Sequence, residues 1–224
     1  MKYIPAAAAT FCGLLLLSAT SRAQDLYVGS NAANVTTNFT SGTNLFGKTY
    51  IGYTTNATNN VLNVSGAGTV LSNSSGVVDV YVGFNGSGNR LVVSNGGQVY
   101  CEFGVLGWMD DASNNSALVT GTNSKWTLGG DLYVGGRASP TSVGPNGNSL
   151  VVSNGGQVVM GEYGDLQIGV FSISNSVLVT GSGSSVQGSV IMGGQASGIS
   201  LLASTTCTMS VQRHGLTRLK IACG

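Results

Sequence analysis

Charged residues are scarce in this sequence. Lysine, arginine, aspartate and glutamate make up only 8% of its 224 residues, and the formal net charge is +1. This balance offers no basic surface to nucleic acid or to acidic membranes. The single histidine, His214, lies outside every repeated motif, and no G-x-S-x-G sequence occurs. Since nucleophilic catalysis needs a base beside its nucleophile, we expect a protein that is not an enzyme and does not bind nucleic acid.

Cysteine is also rare. Cys12 lies inside an apolar N-terminal run, and the other three, Cys101, Cys207 and Cys223, form no C-x-x-C pair. Neither a disulfide framework nor a zinc site is indicated, and we expect no metal and no cofactor. A bridge between Cys207 and Cys223 is compatible with an oxidising compartment.

Long apolar runs are absent after the N-terminus. Residues 1–23 have the features of a signal peptide: Lys2, an apolar run over residues 6–19 and a small-residue cleavage site at residues 21–23. No later stretch is apolar enough over a membrane-spanning length. The sequence therefore predicts an exported protein, secreted or at the cell surface, without a transmembrane segment after signal cleavage.

Repeats dominate the rest of the chain. The segment LVVSNGGQV occurs at residues 91–99 and again at residues 150–158. A shorter motif, a strand-like segment closed by glycine, recurs at intervals that return to about 24 residues. Its copies are DLYVG (25–29), KTYIG (48–52), DVYVG (79–83), FGVLG (103–107), DLYVG (131–135), DLQIG (165–169) and SVIMG (189–193).

Two further short apolar segments follow five of the seven glycine-closed motifs, and the first of the two resembles L-x-V-S/T-x-G, as in VLNVSG (61–66) and LVVSNG (91–96). No window has helical periodicity, and Asn-Gly, Gly-Gly and Ser-Gly separate the segments. Three strands in a coil of about 24 residues predict an all-β protein, a parallel β-helix (β-solenoid) of about seven coils over residues 24–198. A β-propeller blade needs more residues, and a β-sandwich does not require near-identical repeats.

Alternation along the strands predicts the core, because successive side chains point to opposite faces. On the first strand the inward residues should be Leu26, Val28, Ile51, Val80, Val82, Leu106, Leu132, Val134, Leu166 and Ile168. On the second strand they should be Leu62, Leu91, Leu150, Val64, Val93, Val119, Val152 and Val179, an assignment that Leu118 and Leu178 at the middle position weaken. Trp126 is predicted to lie in the core, and the closing glycines to occupy sharp corners.

Two outward columns on the first strand are the candidate surfaces. One reads Asp25, Lys48, Asp79, Phe103, Asp131, Asp165 and Ser189, which alternates in sign at its start and predicts a solvated ladder rather than a catalytic or metal site. The other contains the aromatic residues Tyr27, Tyr50, Tyr81 and Tyr133. Together with Trp108 in an inserted loop, these tyrosines could contact sugars or a protein partner, or could pack across strands to stabilise the sheet.

The residues that follow the repeats, 199–224, have no repeat register. They cap the last coil, form a disordered end or are read out of frame, and the sequence leaves these alternatives open.

A signal peptide followed by LYVG and L-x-V-S-N-G-G-x-V units resembles the passenger region of bacterial autotransporter-type surface proteins and related secreted β-helix adhesins, over about residues 25–195. The resemblance implies a right-handed helix, a place on the cell surface and a role in adhesion to glycans or to host or matrix proteins, with self-association as a further option. Two alternatives remain: a β-helical polysaccharide lyase or hydrolase, and a purely structural spacer.

Overall fold

The computed structural model describes residues 23–73, 79–136, 144–170, 172–193, 198, 200–203, 207–214 and 216–223. Residues 1–22 of the predicted signal peptide lie outside the described residues. The described part of the chain forms strands and turns, and it contains no helix that could cross a membrane. In chain order the strands are β1 (Leu26–Val28), β2 (Thr36–Phe39), β3 (Thr43–Phe46), β4 (Thr49–Ile51), β5 (Val61–Ser65), β6 (Val70–Asn73), β7 (Asp79–Val82), β8 (Arg90–Ser94), β9 (Gln98–Cys101), β10 (Phe103–Leu106), β11 (Ser116–Thr120), β12 (Lys125–Leu128), β13 (Leu132–Val134), β14 (Ser149–Ser153), β15 (Gln157–Val159), β16 (Asp165–Ile168), β17 (Ser176–Thr180), β18 (Ser185–Met192), β19 (Ser200–Ala203), β20 (Cys207–His214) and β21 (Leu216–Cys223).

The strands form three sheets, and each turn of the chain adds one strand to each. Sheet A contains β1, β4, β7, β10, β13, β16 and the second half of β18; sheet B contains β2, β5, β8, β11, β14, β17 and β19; sheet C contains β3, β6, β9, β12, β15 and the first half of β18. Each strand pairs in parallel with its equivalent one turn away, so that Tyr50 lies opposite Tyr27 on one side and Tyr81 on the other. The predicted parallel β-helix is confirmed, with six complete turns and β18 and β19 beginning a seventh. Its right-handed sense stays a prediction.

The core runs along the inside of the three sheets. All the residues predicted to face inward on the first two strands are fully buried except Leu26, which lies on the first turn and packs partly buried against the core. Leu118 and Leu178 lie on the outer face of sheet B, which settles the ambiguity of the second strand. Trp126 is fully buried, as predicted. Its indole N–H donates a hydrogen bond to Cys101 Sγ at 3.2 Å.

The corner between sheets A and B joins a glycine to an asparagine of the next turn. Gly83 has a φ of +78°, and a Cβ at this residue would lie 2.1 Å from Nδ2 of Asn115. The glycine is therefore required both by backbone conformation and by the side chain that fills the corner, as the corner prediction expected.

The asparagines at this corner form a buried ladder that the sequence analysis missed. They are Asn60, Asn89, Asn115, Asn148 and Asn175, all fully buried. Each Oδ1 accepts a hydrogen bond of 2.8–2.9 Å from the backbone N–H of the equivalent residue one turn earlier. The ladder thereby satisfies backbone donors that a corner cannot pair within a sheet.

The corner between sheets B and C explains why the long repeat spans two turns. Turns three and five use the sequence Ser-Asn-Gly-Gly, in which Asn95 and Asn154 have positive φ values of 52° and 51°. Turns four and six end this corner in a serine, whose hydroxyl oxygen accepts a hydrogen bond from the backbone of the preceding turn: Ser124 from Gly96 and Ser184 from Gly155, both at 3.0 Å. Two different corner types therefore alternate, and each serine corner is hydrogen-bonded to the Ser-Asn-Gly-Gly corner of the turn before it.

The last described residues depart from the parallel pattern. β19 pairs in parallel with β17, and β21 then runs antiparallel to the first half of β18, with β20 antiparallel to β21. Ile221 and Cys223 belong to the core, at 1% and 4% exposure. Cys223 is disulfide-bonded, and Cys207 lies directly opposite it in the backbone register of the hairpin.

Candidate binding surface on sheet A

The predicted aromatic column lies on the outer face of sheet A. Tyr27, Tyr50 and Tyr81 occupy equivalent positions on β1, β4 and β7, and the column continues through Val105 to Tyr133. The rings of Tyr27 and Tyr50 stack at 5.1 Å between centroids, and those of Tyr50 and Tyr81 at 5.2 Å. The spacing follows from the distance between neighbouring strands, about 4.8 Å.

A second aromatic row follows the closing glycines of turns two to four. Its members are Tyr53, Phe84 and Trp108, each three residues after the equivalent position of the first column. Tyr53 stacks on Phe84 at 5.2 Å. Contacts between the two rows are edge-on, such as Tyr50 against Tyr53 at 5.1 Å and Tyr81 against Trp108 at 5.8 Å. We call these six residues, Tyr27, Tyr50, Tyr81, Tyr53, Phe84 and Trp108, the aromatic cluster.

Exposure differs sharply within the aromatic cluster. Tyr50 and Tyr81 are only 9% and 7% exposed, whereas Tyr27 and Tyr53 are 44% and 37% exposed. The inner tyrosines thus act as a small hydrophobic core outside the sheet, and Phe84, Trp108 and Tyr133 pack partly buried around it. A partner could touch only the rim of the cluster, at Tyr27 and Tyr53 first.

Burial also controls the ionisation of these tyrosines. Burial, with the nearby carboxylate of Asp25 as a second cause, raises the pKa of Tyr50 from 10.0 to about 12. Burial and a hydrogen bond to Asp79 raise the pKa of Tyr81 still further. Burial and Asp25 also raise the pKa of Tyr27. All three side chains are therefore neutral hydrogen-bond donors at physiological pH.

The charged column beside the tyrosines begins with a confirmed alternation of sign. Lys48 Nζ lies 3.5 Å from Oδ2 of Asp79 and 5.9 Å from the centre of the Tyr81 ring. The Tyr81 hydroxyl donates to the same Asp79 oxygen at 2.7 Å. The prediction of a solvated ladder is wrong for Asp79, which is 6% exposed and whose carboxylate contacts the Tyr81 hydroxyl and Lys48.

Two other carboxylates of this column, those of Asp25 and Asp131, accept hydrogen bonds from the neighbouring turn. Asp25 Oδ1 accepts the backbone N–H of Lys48 at 2.7 Å, and Asp131 Oδ1 accepts that of Asp165 at 2.9 Å. The second oxygen of Asp131 accepts hydrogen bonds from the Tyr133 hydroxyl and from Gln167 Nε2. These contacts tie one turn to the next.

The rest of the described part of the chain offers little reactive chemistry. It holds no group of three or more histidine, cysteine, aspartate and glutamate side chains that could bind a metal ion. Cys101 is the free cysteine of this part, and burial raises the pKa of its thiol to about 12. A thiol with so high a pKa is a poor nucleophile at neutral pH.

Sequence reasoning found the first aromatic column but missed Tyr53 and Phe84. The available signal was an aromatic residue directly after the closing glycine, which recurs at residues 53, 84 and 108. Comparison of the chain with protein-family models, with curated proteins and with solved structures found no match.

Proposed function

We propose that this protein is an exported, non-enzymatic β-solenoid that acts in adhesion or as a surface-structural component, and that the rim of the aromatic cluster is its contact surface. The observation that carries the proposal is the exposure of Tyr27 and Tyr53 on top of a buried aromatic support. The stacked neighbours restrict both rings before any partner arrives. Little side-chain entropy is then lost on binding, and large amphipathic rings provide contact area.

The partner of this surface is a glycan or the surface of a host or matrix protein. Uncharged rings with hydroxyl groups can contact the apolar face and the hydroxyls of a sugar, and tyrosine is common at protein interfaces. Asp25 lies beside the rim, so a strongly acidic partner is disfavoured.

A binding assay tests the proposal. The exported wild-type chain, a Tyr27→Ala/Tyr53→Ala double variant and a Tyr163→Ala control would be applied to a panel of immobilised neutral and acidic polysaccharides and matrix proteins. Tyr163 is a matched control because it is 80% exposed and lies outside the aromatic cluster. We expect at least a tenfold loss of binding in the double variant and none in the control. Equal binding by all three chains would reject this surface.

Two alternatives have different outcomes in the same assay. A β-helical polysaccharide lyase or hydrolase would generate new unsaturated or reducing ends during incubation with the panel. The hydrogen bonds of Asp131 to neighbouring groups favour a structural role for this carboxylate over an acid–base role. A structural spacer would bind no member of the panel and none of its own copies.

Export is tested separately, on the chain expressed in a bacterial host. We expect the protein outside the cytoplasm with an N-terminus near Gln24, as read by mass spectrometry of the intact chain. A chain that stays in the cytoplasm and retains Met1 would reject the export part of the proposal.

A further inference from the structure

The outer face of sheet B carries a column of aliphatic side chains with no function in the fold described above. In register along the sheet it reads Asn63, Val92, Leu118, Val151, Leu178 and Leu202, from turn two to turn seven. The column is partly exposed throughout, and Leu202 is 57% exposed. The inward-facing residues of the same strands already form the core, so the core does not need this second apolar column.

Polar columns flank the aliphatic one, and they are uncharged apart from Arg90 of β8. On one side lie Ser116, Ser149, Ser176 and Ser200, and on the other lie Ser94, Thr120, Ser153 and Thr180. Strands β11, β14, β17 and β19 contain no charged residue. The outer faces of the other sheets differ, since sheet A carries Asp79 and Asp131 and sheet C carries Lys125. A partner for turns four to seven of sheet B should therefore be flat and uncharged.

Size alternates over turns three to six of the column, because the long repeat spans two turns. Valine occupies turns three and five, and leucine occupies turns four, six and seven. Two copies of the face related by a two-fold axis parallel to the strands, passing between turns four and five, would place each leucine of turns four and six over a valine of the other copy. Leu118 would face Val151 of the second copy, and Leu178 would face Val92. Large and small side chains would then interdigitate, as packed sheets require.

The same axis also suits the charged residue of this face. The one charged residue on the face, Arg90 of β8, would lie over Ser176 of the second copy rather than over its own equivalent. An axis along the solenoid that passes through the column would instead place Leu118 over Leu118 and Leu178 over Leu178, so that large side chains would meet large ones. The two-fold axis parallel to the strands is thus the arrangement that the column accommodates.

We propose that two copies of this chain associate through the outer faces of sheet B, with their solenoid axes antiparallel. Six strands at about 4.8 Å and about 16 Å of strand length give a contact of roughly 450 Å² per copy, or about 900 Å² in total. Stable dimers bury more than this, and weak transient ones bury about this much. The contact therefore fits a reversible dimer, and closed two-fold symmetry limits the assembly to two chains.

Sedimentation velocity of the full chain over roughly 1–300 µM tests the association. We expect the weight-average mass of the wild type to rise towards twice that of one chain. A Leu118→Asn/Leu178→Asn variant should remain at the mass of one chain, and the fold should tolerate it because Asn63 already occupies this column. The matched control is Val159→Asn on the outer face of sheet C, which should behave as the wild type. Circular dichroism of each variant confirms folding.

Cysteine cross-linking tests the orientation. A chain with Arg90→Cys mixed with a chain with Ser176→Cys should form a cross-linked dimer under oxidation, whereas either chain alone should not, because like residues would lie three turns apart. The native thiol Cys101 should not interfere, since burial raises its pKa to about 12 and keeps it protonated. A wild type of constant mass, assembly beyond two chains, a dimer that survives the double asparagine substitution, or cross-linking by either chain alone would overturn the proposal.

Discussion

Asn115 allows the asparagine ladder to be tested by a single substitution. Its Oδ1 accepts hydrogen bonds from the backbone N–H and from Nδ2 of Asn89, at 2.8 and 3.2 Å, and its own Nδ2 donates to the carbonyl of Ala112 at 2.7 Å. Replacement by leucine keeps the side-chain size and removes all three contacts. The Asn89 N–H and the Ala112 carbonyl would then lose these partners in a fully buried corner.

The expected cost of Asn115→Leu follows from those two buried groups. A buried donor or acceptor without a partner costs about 1–3 kcal/mol, so the free energy of unfolding should fall by about 2–6 kcal/mol. Leucine gains little from burial here because the corner is lined by peptide groups. This loss is a large part of the stability of an ordinary domain.

Urea unfolding, followed by circular dichroism and by the fluorescence of buried Trp126, measures the change. The control is Asn63→Leu, the same substitution on the outer face of sheet B, where Leu118 already lies in the same column. The amide of Asn63 donates a hydrogen bond to the exposed Asn38, so the control should change stability by no more than about 0.5 kcal/mol. If Asn115→Leu and Asn63→Leu unfold at the same urea concentration, the ladder does not stabilise the corner.

Three further predictions concern the corners, the aromatic cluster and the repeat. Gly83→Ala should destabilise the protein by at least about 2 kcal/mol more than Gly68→Ala in urea unfolding. The two glycines have nearly the same φ, +78° and +79°, but only an alanine at residue 83 would clash with the next turn. Equal effects would contradict the packing argument. Burial raises the pKa of Tyr50 from 10.0 to about 12, so the stability that comes from its neutral hydroxyl is complete below pH 10 and is lost as the pH rises through about 12. Tyr50→Phe should therefore reduce the fall in the free energy of unfolding over this pH range. An unchanged pH profile would count against the shift. Deletion of residues 91–149 removes two turns and puts the second copy of LVVSNGGQV in the place of the first, so it should leave a folded solenoid by circular dichroism. Val93→Asp should not fold, because it buries an unpaired charge. A deletion variant that unfolds as readily as Val93→Asp would argue against independent turns.

The strand faces could be predicted from sequence because one simple rule decides them. Alternation in DLYVG allows only two assignments, and Gln167 in place of tyrosine selects the one that buries Leu166 and Ile168. Repetition then transfers the choice to every turn. The position of the closing glycines at the corners could be predicted equally well, since a recurring glycine has few physical explanations other than a sharp turn.

The asparagine ladder could not be read in the same way. Asparagine is abundant throughout this chain, and Asn115 looks no different in sequence from exposed Asn114 beside it. What distinguishes the two is a contact one turn away, with a residue about 26 positions earlier. The burial of Asp79 was missed for a related reason, because its cover comes from Lys48 and from an aromatic cluster assembled over several turns.

The two outer faces that carry our proposals occupy different parts of the rod, and this makes them separable. The aromatic cluster extends from turn one to turn four on sheet A, whereas the uncharged aliphatic column lies mainly on turns three to seven of sheet B. Long-range effects between them would have to pass through a rigid core of stacked turns, and substitutions at distant sites without shared partners usually act independently. Tyr27→Ala/Tyr53→Ala should therefore leave the dimer intact, and Leu118→Asn/Leu178→Asn should leave binding by a single chain intact. Loss of both properties in either variant would mean that dimer formation assembles the binding surface.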